Sequence, residues 1–162
     1  MAYYLKFDAI TKGESKAKGH EGDKGWIEVD SVKFGSGRGI HTRVGHSSKR
    51  EATAPNISEV MVTKQLDGTS PLLFQESLVG KGTTAKLDLV ETGEDQLSTF
   101  LEVTLHNAMI SGYSVAGKGD RPQETININF TKIEYKYTPH DDQHKPGSSV
   151  AVGYDLTLAT SK

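Results

Sequence analysis

The chain has 162 residues, a formal net charge of −2 and no cysteine. This length is usual for one domain, the near-neutral charge offers no basic surface for nucleic acid, and the fold can form no disulfide. The N-terminus lacks the features of a secretory signal, and no apolar run approaches the roughly 20 residues of a membrane span. We therefore expect a protein that is made in the cytoplasm, does not insert into a membrane and leaves only through a dedicated export machine.

Alternation of apolar and polar residues predicts a first strand in which Tyr3, Leu5 and Phe7 share one face. The Gly-rich, charged segment 11–25 is predicted to be a solvated loop. A second strand is predicted over residues 26–35. Its apolar face changes near Asp30, and a β-bulge is the usual cause of such a change.

Residues 35–56 form a long connection with few core-forming side chains. Connections of this length are uncommon in compact domains and are usually either functional or disordered. Two interpretations follow for this arm: a flexible excursion, or an arm that pairs with a neighbouring molecule.

One helix is predicted near residues 70–80. Ser70 is a suitable N-cap, and Pro71 fits the first helical position because its missing N–H is not needed there. Gly80 is predicted to end the helix in a left-handed conformation.

The apolar residues of this helix fall on two sides. At 100° per residue, Phe74 and Leu78 form one ridge, and Leu72 and Val79 form another that is almost opposite. We expect one ridge to pack on the sheet of the same chain and the other to contact a second subunit.

The rest of the chain reads as strands and turns, without alternation of strand and helix. A second change of face occurs within the strand at 124–138, which indicates a strongly bent sheet. The fold class is therefore mainly β, an antiparallel two-sheet barrel or sandwich with seven to nine strands in a single domain over 1–162. The strands beyond the arm are predicted at 57–66, 85–91, 101–111, 124–138 and 150–158, with a turn region at 112–123 and a polar loop at 138–149.

The candidate catalytic and metal sites are weak. The run His-Asp-Asp-Gln-His at 140–144 could ligate a metal, but a solvated loop explains it better because no partner elsewhere in the sequence has ligand spacing. His41 and His46 lie five residues apart, which sends them to opposite faces of an extended strand. No nucleophile elbow or defensible carboxylate pair is present. We expect no enzyme activity, no cofactor and no metal.

A family resemblance emerges from motifs spread over nearly the whole chain. The most specific is the approach to the helix, in which Thr63, Lys64 and Asp67 precede Ser70 and Pro71. Together with the other motifs, it makes the chain resemble the haemolysin-coregulated protein (Hcp) family of bacterial type VI secretion systems. The other motifs are Tyr-Leu-Lys-Phe-Asp at 4–8, Gly-Glu-Ser at 13–15, His20, Ile-Glu-Val at 27–29, Glu-Thr-Ile-Asn-Ile-Asn-Phe at 124–130, Tyr-Thr-Pro at 137–139 and Gly-Tyr-Asp at 153–155.

The resemblance implies a two-sheet β-barrel with one flanking helix that assembles into a homohexameric ring. Such rings stack into an inner tube that a contractile sheath propels out of the cell behind a spike protein, with small effector proteins in the lumen. On the family pattern the second strand lines the lumen, so Ser31 and Lys33 are candidate effector contacts. Strand edges or loop arms that cross to the neighbour would close the ring. The candidate ring contacts in the arm are Arg38, Ile40, Thr42 and Val44.

Two other classes compete with this interpretation. A monomeric ligand- or carbohydrate-binding β-sandwich would show clustered aromatic residues, and Trp26 at a strand start gives it little support. A β-barrel enzyme would need convergent acid and base groups. The mass in solution distinguishes a ring from a monomer.

Overall fold

The computed structural model describes residues 1–42, 44–45, 50–93, 97–117 and 119–161. This part of the chain contains one α-helix, α1 (Ser70–Val79), one 3₁₀ turn (Gly22–Lys24) and sixteen strands. The strands are β1 (Ala2–Phe7), β2 (Lys16–Ala17), β3 (His20–Glu21), β4 (Trp26–Val29), β5 (Ser31–Lys33), β6 (Ser36–Gly37), β7 (Ile40–Thr42), β8 (Arg50–Ala52), β9 (Asn56–Ile57), β10 (Val60–Gln65), β11 (Thr83–Thr92), β12 (Leu97–Ala116), β13 (Gln123–Asn129), β14 (Lys132–Tyr137), β15 (Val150–Asp155) and β16 (Thr160–Ser161).

The 20-residue strand β12 organises the fold because it pairs with three neighbours. Its first half pairs with β11 on one edge and with β14 on the other, and its second half pairs with β13. The sheet continues from β11 through β1 to β4, and from β13 through β10 to β5. Since β4 and β5 follow each other along the chain, they join the two ends and close an antiparallel barrel. β15 and β16 extend the sheet beyond β14.

The two changes of face in the sequence mark the points where the chain changes pairing partner. At Asp30 the chain leaves β1 and joins β10, and the Asp30 amide donates a hydrogen bond to the Thr63 carbonyl at 2.7 Å. Between β13 and β14 the chain moves along the edge of β12, and the Thr131 amide donates to the His106 carbonyl at 3.1 Å. The expected bulge at Asp30 is therefore replaced by a change of partner, which turns the sheet as the barrel closes.

The hydrophobic core lies inside the barrel. It is built from the inward faces of the barrel strands, with the helix contributing Leu73. This arrangement confirms the predicted fold class: mainly β, antiparallel, with one short helix. The fully buried core residues include Leu5, Ile27, Val60, Val62, Leu87, Val103, Leu105, Ile126 and Ile128.

Three segments predicted to be loops or turns have regular structure. The segment 11–25 contains the β2–β3 hairpin and the 3₁₀ turn, and β12 runs through Gly112 and Tyr113 to Ala116. The arm at 35–56 is a ribbon rather than a loop, because β6 pairs with β9 and β7 pairs with β8. Backbone pairing thus orders glycine-rich sequence that has no apolar alternation.

The helix packs differently from the prediction. Leu73 is buried, whereas Leu72, Phe74, Leu78 and Val79 are all exposed, so neither predicted ridge forms the main contact with the sheet. Leu73 lies between the two ridges, and it is the one apolar side chain of the helix that is buried; the other buried residue is Ser70 in the first turn.

The caps of the helix also differ from the prediction. Thr69 occupies the N-cap position without a side-chain capping bond, and Ser70 is the first helical residue. Gly80 ends the helix in an extended conformation, with φ −62° and ψ 151°, and not in the left-handed region. A Cβ at Gly80 would lie 2.4 Å from the Glu76 carbonyl oxygen, so close approach to the last helical turn is what requires glycine there.

Candidate assembly surfaces

One outward face of the barrel carries short polar side chains. Ser31 and Lys33 are exposed on β5 and lie opposite Thr63 and Met61 of β10, respectively. The Ser31 and Thr63 hydroxyl oxygens are 2.5 Å apart and hydrogen-bonded. The register continues this surface across β13 and β12. We call it the polar face, and it comprises Ser31, Lys33, Met61, Thr63, Gly112, Ser114, Thr125 and Asn127.

Lys33 is the one charged member of the polar face as defined. The other members present hydroxyl groups, an amide, a thioether and bare glycine. Both residues predicted as lumen contacts from the family resemblance therefore lie on one surface, and Lys33 supplies its charge.

The ribbon, residues 36–57, projects from the ends of β5 and β10. Its strands are held by the pairs Ser36–Ile57 and Ile40–Ala52, and the Gly39 amide donates to the Thr53 hydroxyl at 2.8 Å. Every residue from 36 to 54 whose burial the structure describes is exposed. A two-stranded hairpin is only marginally stable by itself in water. Little side-chain packing therefore supports the described part of the ribbon within the protomer.

The ring contacts predicted in the arm all lie on the ribbon or at its turn. Arg38 lies in the link between β6 and β7, Ile40 and Thr42 are the two ends of β7, and Val44 follows near the tip, fully exposed. Ile40 is also about half exposed. The ribbon thus presents apolar side chains to solvent.

Two further apolar surfaces lie on different elements. The helix patch consists of the exposed residues Leu72, Phe74, Leu78 and Val79, of which Phe74 also contacts the Tyr113 ring at a centroid distance of 5.6 Å. The sheet patch lies on β14 and β15, where two exposed tyrosines face two exposed valines across the ladder. Its members are Tyr135, Tyr137, Val150 and Val152, and Phe34 contacts Tyr135 at 6.0 Å. Apolar side chains grouped in this way are typical of surfaces that contact another protein.

Beneath the start of the helix lies a buried ionic network. Lys64 forms an ion pair with Glu124, and both side chains are almost completely shielded from water. The Lys64 ammonium also lies 2.9 Å from the Asp67 carboxylate and donates to the Gln65 carbonyl at 2.8 Å. The Ser70 hydroxyl donates to Glu124 at 3.0 Å. These bonds fasten the first turn of the helix to β10 and β13.

Tyr113 completes this network from β12. Its hydroxyl donates a hydrogen bond to the second carboxylate oxygen of Glu124. Burial raises the pKa of Tyr113, and the hydrogen bond to the Glu124 carboxylate raises it further. The phenol therefore stays protonated and keeps donating over the physiological pH range. Several of these residues belong to the helix-approach motif, which explains the physical role of that motif.

The β2–β3 hairpin is anchored to the large sheet by His20. The His20 ring is buried, stacks on Tyr4 at 4.5 Å and meets Trp26 edge-on at 4.6 Å. Its Nε2 atom lies 2.8 Å from a carboxylate oxygen of Asp88. Sequence reasoning missed this pairing because the two residues are 68 positions apart and segment 11–25 reads as a loop.

The remaining sequence candidates show no convergence of chemical groups. The Asp141 carboxylate accepts hydrogen bonds from the Gln143 and Lys145 amides and so shapes its own loop. Across the residues that the structure describes, no three His, Asp or Glu side chains are placed to hold one metal ion. His46 lies outside the described residues. Trp26, the aromatic residue considered for a carbohydrate site, is partly buried against His20.

The fold and these surfaces define the class of the protein: an antiparallel β-barrel with one flanking helix and unpaired apolar surfaces. The same fold occurs in a solved "type six secretion system protein", with a TM-score of 0.87, 26% identity and 99% of each chain covered. It also occurs in the crystal structure of Hcp1 from Salmonella typhimurium, with a TM-score of 0.74 over the whole of both chains at 23% identity.

The sequence comparisons identify the family. The family model described as "Type VI secretion system effector, Hcp" matches residues 4–137. The chain is 29% identical over 149 residues to Protein hcp1 of Pseudomonas aeruginosa. These aligned residues cover 90% of this chain and 89% of that protein. The chain therefore belongs to the Hcp family of type VI secretion proteins, as its motifs predicted. In the described part of the chain, no helix combines the length and apolar character needed to cross a membrane.

Proposed function

We propose that this protein is the subunit of a type VI secretion inner tube. Six copies form a ring, rings stack into a tube, and the contractile sheath expels the tube together with a spike protein. Small effector proteins travel in the lumen. On this proposal the whole chain acts as one domain without catalysis, and the secretion machine carries it from the bacterial cytoplasm to the extracellular space or a target cell.

The observation that carries the proposal is the pair of exposed apolar patches on different elements. A ring of identical subunits needs two different surfaces that fit each other, because each contact is heterologous. The helix patch and the sheet patch supply apolar area on two separate parts of the surface. We propose that the ring buries both patches, so that Leu72, Phe74, Leu78 and Val79 face a neighbouring subunit.

The ribbon is the second proposed ring contact. Its exposed residues Arg38, Ile40, Thr42 and Val44 would cross to the neighbour, where partner contacts would supply the stability that an isolated hairpin lacks.

The polar face is the proposed lining of the lumen. Short hydroxyl and amide side chains favour weak, reversible contacts with many passengers, because none of them forms a deep apolar anchor. Ser31 and Lys33 would then be effector contacts.

The mass of the assembly tests the proposal. Native mass spectrometry and light scattering should give about six times the 17.6 kDa of the subunit. A protein that stays monomeric over micromolar to millimolar concentration would contradict the ring and favour a monomeric binding module.

A further inference from the structure

The register of the strands arranges the polar face in rows that differ in chemistry. One row carries only hydroxyl groups, and its members, paired across four strands, are Ser31, Thr63, Thr125 and Ser114. In the next row Lys33 pairs with Met61, and Asn127 lies between Met61 and Gly112. The one long apolar side chain in these two rows is therefore the thioether of Met61, which is 40% exposed.

Met109 places a second thioether one row further along the same face. It pairs with Asn129 of β13 and is 44% exposed, whereas the next residue, Ile110, is buried. Met109 and Gly112 are three residues apart, and such residues normally point to opposite faces of a strand. They share a face here because the register of β12 and β13 shifts between Ile110 and Gly112.

The two thioethers frame a shallow apolar site. Because β13 lies between β10 and β12, the Cα atoms of Met61 and Met109 are two strand spacings and one row apart, roughly 12 Å. The residues between them on this face present amide groups and a bare glycine. A methionine side chain is flexible and polarizable, so it adapts to apolar groups of different shape. The pair can therefore receive one apolar side chain of a partner without selecting a single shape.

Lys33 places a positive charge beside this site. It lies directly across the β5–β10 ladder from Met61, is exposed, and forms no ion pair within the residues that the structure describes. Glu59, the exposed acid that precedes β10, is not paired with it in that part of the chain. The Lys33 ammonium is thus open to a carboxylate of a partner.

From this arrangement we propose that Met61 and Met109 anchor passenger proteins, which dock with an apolar side chain between the two thioethers and a carboxylate on Lys33. The inference rests on the proposed lumen role of the polar face and names the chemistry of the partner that this face takes. It also gives the site a chemical control, because oxidation of the two methionines releases the passenger.

The oxidant for this step is a peroxide. Each thioether sulfur gives an electron pair to hydrogen peroxide, the O–O bond breaks, one oxygen atom bonds to sulfur and the other leaves as water. The sulfoxide that forms is polar, so the site loses the apolar character on which docking depends. The ring itself is not expected to change, because both side chains lie on the polar face and not on the helix patch or the sheet patch.

Two fluorescent peptides of equal charge test the anchor. Both carry glutamates around two central residues, which are leucine in one peptide and serine in the other. Fluorescence anisotropy should show that wild-type rings bind the leucine peptide about fivefold more tightly, which is a little more than one buried methylene group supplies. Lys33→Ala should weaken the binding of both peptides and keep the preference for leucine.

Hydrogen peroxide should abolish the preference for leucine, while native mass spectrometry shows intact rings and a gain of about 16 Da for each oxidised methionine. Met61→Leu with Met109→Leu keeps the apolar groups, so these rings should keep the preference and become insensitive to peroxide. Met1, the third methionine of the chain, still oxidises in this variant and is the internal control. Met61→Gln with Met109→Gln should lose the preference without peroxide, and circular dichroism confirms that the variant keeps its β structure.

Equal binding of the two peptides by intact wild-type rings would overturn the anchor and leave the ring as proposed. A preference that survives in the glutamine variant, or peroxide sensitivity that persists in the leucine variant, would place the binding on another surface. Rings that dissociate on oxidation would put the methionines in a subunit contact and also contradict the inference. A monomeric wild-type protein would instead refute the proposed ring, and a monomer that still prefers the leucine peptide would support the anchor alone.

Discussion

Lys64 and Glu124 form an ion pair in the protein interior, on neighbouring strands 60 residues apart in sequence. Their side chains are 1% and 0% exposed, so almost no water solvates either charge. A buried ion pair adds little net stability compared with apolar residues, but removing one partner leaves an uncompensated charge.

Lys64→Met is therefore expected to lower the free energy of unfolding by about 3–5 kcal/mol, because it leaves Glu124 buried without its counter-charge. The double variant Lys64→Met with Glu124→Gln removes the charge as well and should recover a large part of this loss. Urea unfolding measures both values. Equal losses in the single and double variants would contradict the pairing as the source of the effect.

The helix offers a matched pair of adjacent leucines. Leu73 is fully buried and Leu72 is 42% exposed. Leu73→Ala should cost about 2–5 kcal/mol of unfolding free energy, because it opens a cavity in a packed core. Leu72→Ala should cost less than about 1 kcal/mol in the monomer. Urea unfolding of the two variants, at a protein concentration low enough to keep them monomeric, measures both losses. A larger loss of unfolding free energy for Leu72→Ala than for Leu73→Ala would contradict the observed helix orientation.

The helix patch has a different expected role. Leu78→Ser with Val79→Ser should leave the unfolding free energy of the monomer nearly unchanged, because both side chains are largely exposed. The same pair should weaken the ring if the patch is buried between subunits. Sedimentation velocity measures the fraction of protein in rings for this double variant and for the control Lys81→Glu, an exposed position just beyond the helix. Full retention of the ring would remove the helix patch from the proposed interface.

Some of the fold was readable from the sequence because alternation of side chains is a direct physical signal. Tyr3, Leu5 and Phe7 predicted β1, and the change of face at Asp30 marked a real bend in the sheet. The ion pair could also have been found, since Lys64 and Glu124 lie in phase with the buried residues of their strands. Charged residues of a strand are normally assigned to its solvent face, so the sequence pattern alone does not predict that Lys64 and Glu124 are buried.

Other features could not be read from the chain. A helix with apolar residues on two sides does not by itself indicate which side packs on the barrel. The burial of Leu73, between the two ridges, appears only once the helix is placed against β12. The ribbon has no apolar alternation, because its order comes from backbone pairing across residues 36–57. The contact of His20 with Asp88 depends on a hairpin whose sequence resembles a loop.

The Asp88 carboxylate predicts a defined pH dependence. Burial raises the pKa of Asp88, and the hydrogen bond with His20 opposes this rise. Between its unfolded pKa of about 3.9 and its raised folded pKa, the folded state binds more protons than the unfolded state. The contribution of Asp88 to stability is therefore fully present below this window and is lost as the pH rises through it.

Asp88→Asn removes this titration and should flatten that part of the stability curve. Urea unfolding of both proteins between about pH 4 and 7 measures the difference in slope. Asp8→Asn, at an exposed position near the end of β1, serves as the control and should leave the slope of the wild type unchanged. Identical curves for the wild type and Asp88→Asn would contradict the raised pKa.

The ribbon can be removed without touching the barrel. Replacing residues 38–55 by Asn-Gly joins Gly37 to Asn56, which already face each other, through a two-residue hairpin turn. The shortened protein should fold as a monomer, with an unfolding free energy close to that of the wild-type monomer, and should fail to form rings in native mass spectrometry. Ile40→Ser with Val44→Ser tests the apolar part of the ribbon separately. Hexamers that persist after the deletion would refute the proposed role of the ribbon.

Lys33 tests the assignment of the polar face to the lumen. Its side chain is exposed on β5 and carries the charge of that face, so Lys33→Glu reverses the charge of the polar face without removing a core contact. We expect intact rings whose retained small proteins change severalfold in amount, because electrostatic complementarity governs weak association. Quantitative mass spectrometry of proteins that co-elute with rings from the native cell measures retention, and light scattering measures the ring. Lys81→Glu is the control, because the same reversal outside the lumen should leave retention unchanged. Loss of the ring in Lys33→Glu would place Lys33 in a subunit contact and contradict the lumen assignment.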